Sequence, residues 1–247
     1  IGRDDLYFTV FYSYKADGTP EWFTSLATLE NNVLNINMDA DTLIRFTRDY
    51  ETNPNVLDTW IGTNILHIDF NAQATLQNPV CSGNPDRPQD NLAIANWQLG
   101  DQQGSWCIEP LIANSNYPTP DFGGTWWTGT DDSGWGISLS FSGDLMVATV
   151  YYFDAAGNAR WVQGLQPDFV IGEEVTLDMT EYAGFPRDAT PIVLVGSTSG
   201  TLSLTLNSST QSLEQDGSLS IDVNYQGSEG GNWSRSSVPV TIFTQPH

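Results

Sequence analysis

Apolar and polar residues alternate along much of this chain in runs of four to nine, broken by Gly, Asp, Asn and Ser. The runs are rich in Val, Ile, Thr, Tyr and Phe, and a period of two in such residues predicts strands with one face buried. In the second half the pattern predicts strands over 136–141, 145–153, 159–165, 174–179, 192–195, 201–206, 218–225 and 238–243. The best helical stripe is 41–50, DTLIRFTRDY. Many short strands in succession, with tight turns and no long helix, predict an antiparallel meander that closes on itself, because closure removes exposed edges.

The chain also repeats itself. Residues 6–25 read LYFTVFYSYKADGTPEWFTS and residues 145–164 read LMVATVYYFDAAGNARWVQG, so at an ungapped offset of 139 Tyr12 falls on Tyr151, Gly18 on Gly157 and Trp22 on Trp161. Each copy is an aromatic strand, a turn with Gly, and a strand opened by Trp, which predicts a hairpin whose glycine takes φ > 0. At an offset of 127, Gly100, Gly104 and Trp106 fall on Gly227, Gly231 and Trp233. The expected fold is therefore all-β, with two tandem antiparallel meander barrels of about eight strands each. The first spans 1–112 and the second 120–247, joined by a Pro- and Asn-rich linker at 113–119. The first copy starts at the strand matching Leu145 and has no counterpart of 123–143, so its barrel is expected to lack its entry strands. A cis element or a neighbouring chain would fill that gap, the latter giving self-association through the first repeat.

Charge narrows the function classes. Eight Lys+Arg against thirty Asp+Glu leave −22, which excludes a phosphate-backbone binder and a partner for anionic membranes, since both need a basic patch. The aromatic content excludes a disordered chain. No apolar run reaches the length of a membrane helix, and the start at Ile1 without a leader reads as a processed or trimmed chain. Cys81 and Cys107, the only cysteines, belong to no CxxC and no zinc spacing, and they flank a polar, Pro-rich stretch. They predict one disulfide and hence an oxidising compartment, with a secreted or cell-envelope location. Asn207-Ser208-Ser209 and Asn232-Trp233-Ser234 match the glycosylation triplet, which matters only in a eukaryotic source.

Two resemblances follow from short motifs. Gly124-Thr125-Trp126 with a late Arg235 resembles the Gly-x-Trp and Arg pair of lipocalin and avidin-like barrels, in which the arginine covers the tryptophan at the closed end. Biotin binding is not implied. A longer series is similar to a tandem Trp-rich β repeat of secreted and envelope proteins of Proteobacteria: Gly124-Thr125-Trp126-Trp127, Ser133-Gly134-Trp135-Gly136, Tyr151-Tyr152-Phe153-Asp154, Gly157, Trp161, Gly196 and Trp233-Ser234-Arg235. The run from Gly104 to Pro110 resembles an ending in the same group, while Thr128-Gly129 stands where the group has Asn-Pro. This resemblance implies architecture and compartment and carries over no catalytic residue.

Candidate chemistry is sparse. His67, between Leu66 and Ile68, shares a strand face with Ile65 and Asp69, and no GxSxG accompanies it, so it reads as a strand histidine. The pairs Asp4-Asp5, Asp39 with Asp41, Asp131-Asp132 and Glu173-Glu174 read as solvated loop charge in a chain with thirty acids; a hydrolase built on them trails the other readings. No cofactor is expected, a structural calcium being the milder alternative, and no D-x-D-x-D-G string occurs. The tryptophans are the strongest lead. Trp126 and Trp127 must point to opposite faces of one strand, and the outward ring beside Asp131 and Asp132 would form a platform for a sugar or an apolar anchor. The candidate binding residues are thus Trp127, Asp131, Asp132, Trp135 and Trp161. The function expected is a non-catalytic binding module for a glycan, a peptide or an envelope protein, the alternative being a structural subunit of a cell-surface assembly that uses strand complementation.

Overall fold

The structure is a computed structural model, and it describes residues 2–3, 6–14, 18, 20–31, 33–38, 44–46, 57–59, 64–71, 78–81, 92–99, 102–108, 122–129, 132, 134–183, 195–207, 216–225 and 230–244. Its regular elements are all strands. The linker and several acidic pairs (Asp4-Asp5, Asp39 with Asp41, and Asp131) lie outside the described residues.

The second half is one closed barrel of eight antiparallel strands. These are β10 (Gly124–Trp127), β11 (Gly136–Ser142), β12 (Leu145–Phe153), β13 (Ala159–Gln166), β14 (Val175–Ala183), β15 (Val195–Asn207), β16 (Asp216–Tyr225) and β17 (Gly231–Thr244). Closure comes from β10, which pairs with β11 on one side and β17 on the other. Strand β17 is longer than the sequence pattern predicts because an irregularity is absorbed inside the strand. Ser237 takes φ 52°, its N–H is accepted by Ser220 Oγ at 2.9 Å, and the register with β16 shifts there. In β15, Gly200 lies so close to the Asp222 carbonyl that no side chain would fit, so glycine continues the strand where the pattern suggests a break.

Alternation sorts the residues of each strand. In β16, Leu219, Ile221, Val223 and Tyr225 are buried, whereas Ser218, Asp222 and Asn224 face solvent. The inward set fills the barrel with side chains, from Phe122 and Trp126 at the start to Trp233 and Val240 on the last strand. This core is drawn from residues 122–242 alone, so closure and core need nothing from the first half. Strand β12 is the exception to alternation: from Met146 to Phe153 both faces are buried. The outer face at its end, Tyr151 and Phe153, packs on Trp22, Tyr12 and Val10 of the first half.

The first half contains β1 (Gly2–Arg3), β2 (Leu6–Tyr14), β3 (Pro20–Glu30), β4 (Val33–Met38), β5 (Ile44–Phe46), β6 (Leu57–Thr59), β7 (Asn64–Asp69), β8 (Ala93–Leu99) and β9 (Gln102–Ile108). Their sheet runs β1-β2-β3-β4-β7-β8-β9, with the β5–β6 pair attached to β3. The order β2-β3-β4-β7-β8-β9 matches β12-β13-β14-β15-β16-β17, strand for strand. Registers agree as well. Tyr12 pairs with Trp22 as Tyr151 pairs with Trp161, and Gly18 and Gly157 both take φ 82°. In both closing hairpins an aromatic ring lies over a cross-strand glycine, Trp97 on Gly104 and Tyr225 on Gly231.

Two expectations change. A second closed barrel is not present among the described residues: nothing there pairs β9 with β1 or β2, because no described strand stands where β10 and β11 close the other half. The helical stripe at 41–50 contains a strand, β5, since Ile44 pairs with Thr24 and Thr59 on either side. Such pairing overrides a stripe too short to nucleate a helix alone.

Cys81 and Cys107 form a disulfide, with Leu92 and Ile94 packed around it. It ties the turn after Asn78 to β9 across a sequence separation of 26. On the chain-entropy argument, a double Cys→Ser variant is expected to lose about 3.5 kcal/mol, read as a lower urea midpoint. A loss below about 1 kcal/mol would mean that the loop is already held by its packing.

Candidate functional site

Up-and-down topology sends the β10–β11, β12–β13, β14–β15 and β16–β17 connections to the same end of the barrel. That end gathers the aromatic and charged side chains. The opposite end is closed by apolar groups: Phe169 packs on Phe141, and its N–H is accepted by the Asp144 carbonyl at 2.8 Å.

Of the sequence-predicted residues, Trp127 lies half-buried on the outside of β10, while Trp126 is buried inside, as the period of two requires. The Trp126 indole N–H donates to the Phe122 carbonyl at 3.0 Å and its ring stacks on Phe122. After Trp127 the chain doubles back, and the Thr128 hydroxyl donates to the Asp132 carbonyl at 2.8 Å. Gly129 takes φ 91°, a backbone angle that a proline ring forbids. Asp132, held by this loop, forms an ion pair with Arg235 at 3.1 Å. The guanidinium lies 5.1 Å from the Trp233 ring centre and 5.8 Å from that of Trp135. Arg235 thus covers Trp233 and Trp135, with Trp126 stacked elsewhere.

Trp135 meets Trp233 edge-on at 5.3 Å, and Tyr152 stacks on Trp233 at 4.4 Å. Both Trp135 and Tyr152 are buried, and among the described residues neither the indole N–H of the first nor the hydroxyl of the second has a hydrogen-bond partner. Trp161 is elsewhere. It belongs to an outer row with Tyr151 and Tyr182, and Tyr12 and Tyr14 of the first half cover it. The structure thus links Asp132 and Trp135 through Arg235, leaves Trp127 on the outside of β10 and places Trp161 in a contact between the halves; Asp131 lies outside the described residues.

Sequence reasoning missed a second charged group. Arg160 donates to Asp154 and to Glu181, each at 3.0 Å, and lies 5.1 Å from the Tyr225 ring centre. Asp154 also accepts the backbone N–H groups of Ala156 and Asn158, which fixes the turn around Gly157. The signal was present in the Asp-x-x-Gly spacing, whereas Glu181 on the next strand carried none.

His67 lies between Asn35 and Asn96 in mid-sheet. Glu173 and Glu174 are exposed, as solvated loop charges should be. Among the described residues no group of three His, Cys, Asp or Glu is placed to hold a metal ion. The chain matches no protein-family model, no curated protein and no solved structure.

Proposed function

We propose that this chain is a secreted or envelope binding module without catalytic activity, built from two related β units, and that its ligand is a glycan or an extended peptide held at the aromatic end of the barrel. One observation carries this reading. The interior is filled by side chains, while at the end reached by the β10–β11 connection a partly exposed Asp132–Arg235 pair is seated on Trp233 and Trp135, five residues along the chain from the half-buried Trp127. Such a group offers a stacking face next to a carboxylate and a guanidinium, the chemistry that recognises hydroxyls or a peptide backbone. The disulfide supports an oxidising compartment.

Tryptophan fluorescence during titration with a panel of neutral and acidic oligosaccharides, then of extended peptides, tests the proposal. A saturable shift is expected for one class, weakened at least about tenfold by Trp127→Ala and by Asp132→Asn. The Asp132 and Arg235 side chains are 33% and 29% exposed, so Asp132→Asn should change stability by no more than about 1 kcal/mol. A panel that leaves the fluorescence unmoved at millimolar concentration would remove this reading.

Strand complementation is the second reading, favoured by β9, whose outer side is unpaired among the described residues. Loop-like hydrogen exchange over Gln102–Ile108 in a dilute monomer would argue against it.

A further inference from the structure

The hairpins β2–β3 and β12–β13 meet face to face, and their contacts are reciprocal. At the offset of 139, Tyr12 corresponds to Tyr151, Tyr14 to Phe153 and Trp22 to Trp161. The Tyr12 ring lies 5.6 Å from Trp161, and in return Tyr151 lies 5.0 Å from Trp22. Tyr14 is 5.8 Å from Trp161, and Phe153 is 5.3 Å from Trp22. The two equivalent residues Tyr12 and Tyr151 meet each other at 6.2 Å. Each of these ring contacts between unlike residues therefore occurs twice with the partners exchanged, and one joins a residue to its own counterpart. That is the pattern of a two-fold, isologous interface, here formed within one chain.

We propose that this outer face of the barrel is a self-complementary docking surface, which takes a second copy of the same barrel whenever the β2–β3 hairpin does not occupy it. The side chains needed are already present. Putting Thr149, Tyr151, Phe153 and Trp161 of a second copy in the places of Val10, Tyr12, Tyr14 and Trp22 keeps one tyrosine and the tryptophan, and changes the other tyrosine to phenylalanine and the valine to threonine. The Tyr12 hydroxyl donates to Ser138 at 3.3 Å, and a second copy's Tyr151 can repeat that bond. What it loses is the bond from the Tyr14 hydroxyl to the Tyr182 carbonyl, 3.1 Å, so the chain's own hairpin is the better partner by one hydrogen bond. Tethering adds an effective concentration of order millimolar, which keeps the intact chain closed on itself. The proposal is independent of what binds beside Trp127.

The barrel has its own core and closed strand order, so residues 122–247 serve as a test fragment. Sedimentation over the micromolar range should show a dimer, and Trp161→Ala should weaken it more than about 30-fold with the β-sheet circular dichroism unchanged. In the intact chain, the double variant Tyr12→Ala/Trp22→Ala frees the face without removing any residue. It is expected to dimerise, and adding Trp161→Ala should return it to a monomer. Should the fragment fail to fold, the intact-chain variants decide alone. A monomeric double variant would overturn the proposal, and so would a dimer indifferent to Trp161→Ala, which would point to edge pairing at β9 instead.

Discussion

Replacing Arg160 by methionine is expected to lower the unfolding free energy by about 3–5 kcal/mol, the range for removing one partner of a buried charge pair. The side chains of Asp154, Glu181 and Arg160 are 1%, 7% and 12% exposed, so the loss is little relieved by water. Burial itself works against the Arg160 charge. The hydrogen bond to Asp154 and the charges of Glu181 and Asp154 outweigh it, and the net effect holds the guanidinium above its ordinary pKa. Without Arg160, two carboxylates face each other across β13 with no cation between them. Methionine keeps the stem that packs beside Tyr225, so the change isolates charge from volume. Urea unfolding followed by circular dichroism measures the loss, and adding Glu181→Gln to the variant should recover at least about 1 kcal/mol by removing one of the two facing charges. If Arg160→Met alone changes stability by less than about 1 kcal/mol, the group is solvated and does not hold the end of the barrel.

The contribution of the buried tyrosines to stability is expected to be level below about pH 10 and to collapse above it, by up to about 1.4 kcal/mol per pH unit for each. Tyr12, Tyr14, Tyr151 and Tyr152 all have phenols held well above the ordinary value, in each case chiefly because burial disfavours the phenolate. The Glu181 charge adds to this at Tyr14 and Tyr152, and the bond to Ser138 partly offsets it at Tyr12. The sign follows from linkage. The unfolded phenols ionise near pH 10 while the folded ones stay neutral, so the stabilisation is complete below pH 10 and is lost as pH rises towards the folded values. For four groups the slope is about 5–6 kcal/mol per pH unit, which sweeps through the whole stability of a domain of this size within about two units. Near-ultraviolet phenolate absorbance and far-ultraviolet circular dichroism, recorded together, should then change in one cooperative step. A smooth phenolate rise centred on pH 10 with the β-sheet signal intact would show that these hydroxyls are open to solvent. Tyr152→Phe removes a buried hydroxyl that has no partner among the described residues, so it should flatten the alkaline slope by one quarter and leave neutral-pH stability equal or higher.

The candidate site divides along the same line as the fold. The opposition of Trp126 and Trp127 was legible because it follows from the strand period alone. Arg235 on Trp233 and Trp135 was not. It joins positions 103 residues apart through Asp132, and no local pattern states which ring a guanidinium will cover. The same limit hid Glu181, 21 residues from Arg160 on the neighbouring strand. At the positions of Asp154 and Arg160 the first copy carries Lys15 and Glu21, the same two charges exchanged, a correspondence that acquires meaning only once the bridge in the second half is seen.

Residue type and spacing by themselves determined the strand class, the 145–153 strand, the hairpin pairs Tyr12 with Trp22 and Tyr151 with Trp161, the glycine turns, and the Cys81–Cys107 bridge. These are set by side-chain period, by backbone angles that few residues adopt, and by elimination when only two cysteines exist. Even the double burial of β12 is written in LMVATVYYF, apolar throughout, beside the alternating DGSLSIDVNY of β16. What covers β12 was decided only in three dimensions, where its outer face meets the hairpin that matches it. Closure was decided there too. A barrel forms when its first strand reaches its last, as β10 reaches β17 from more than a hundred residues away, and the energy of that pairing belongs to two distant segments at once.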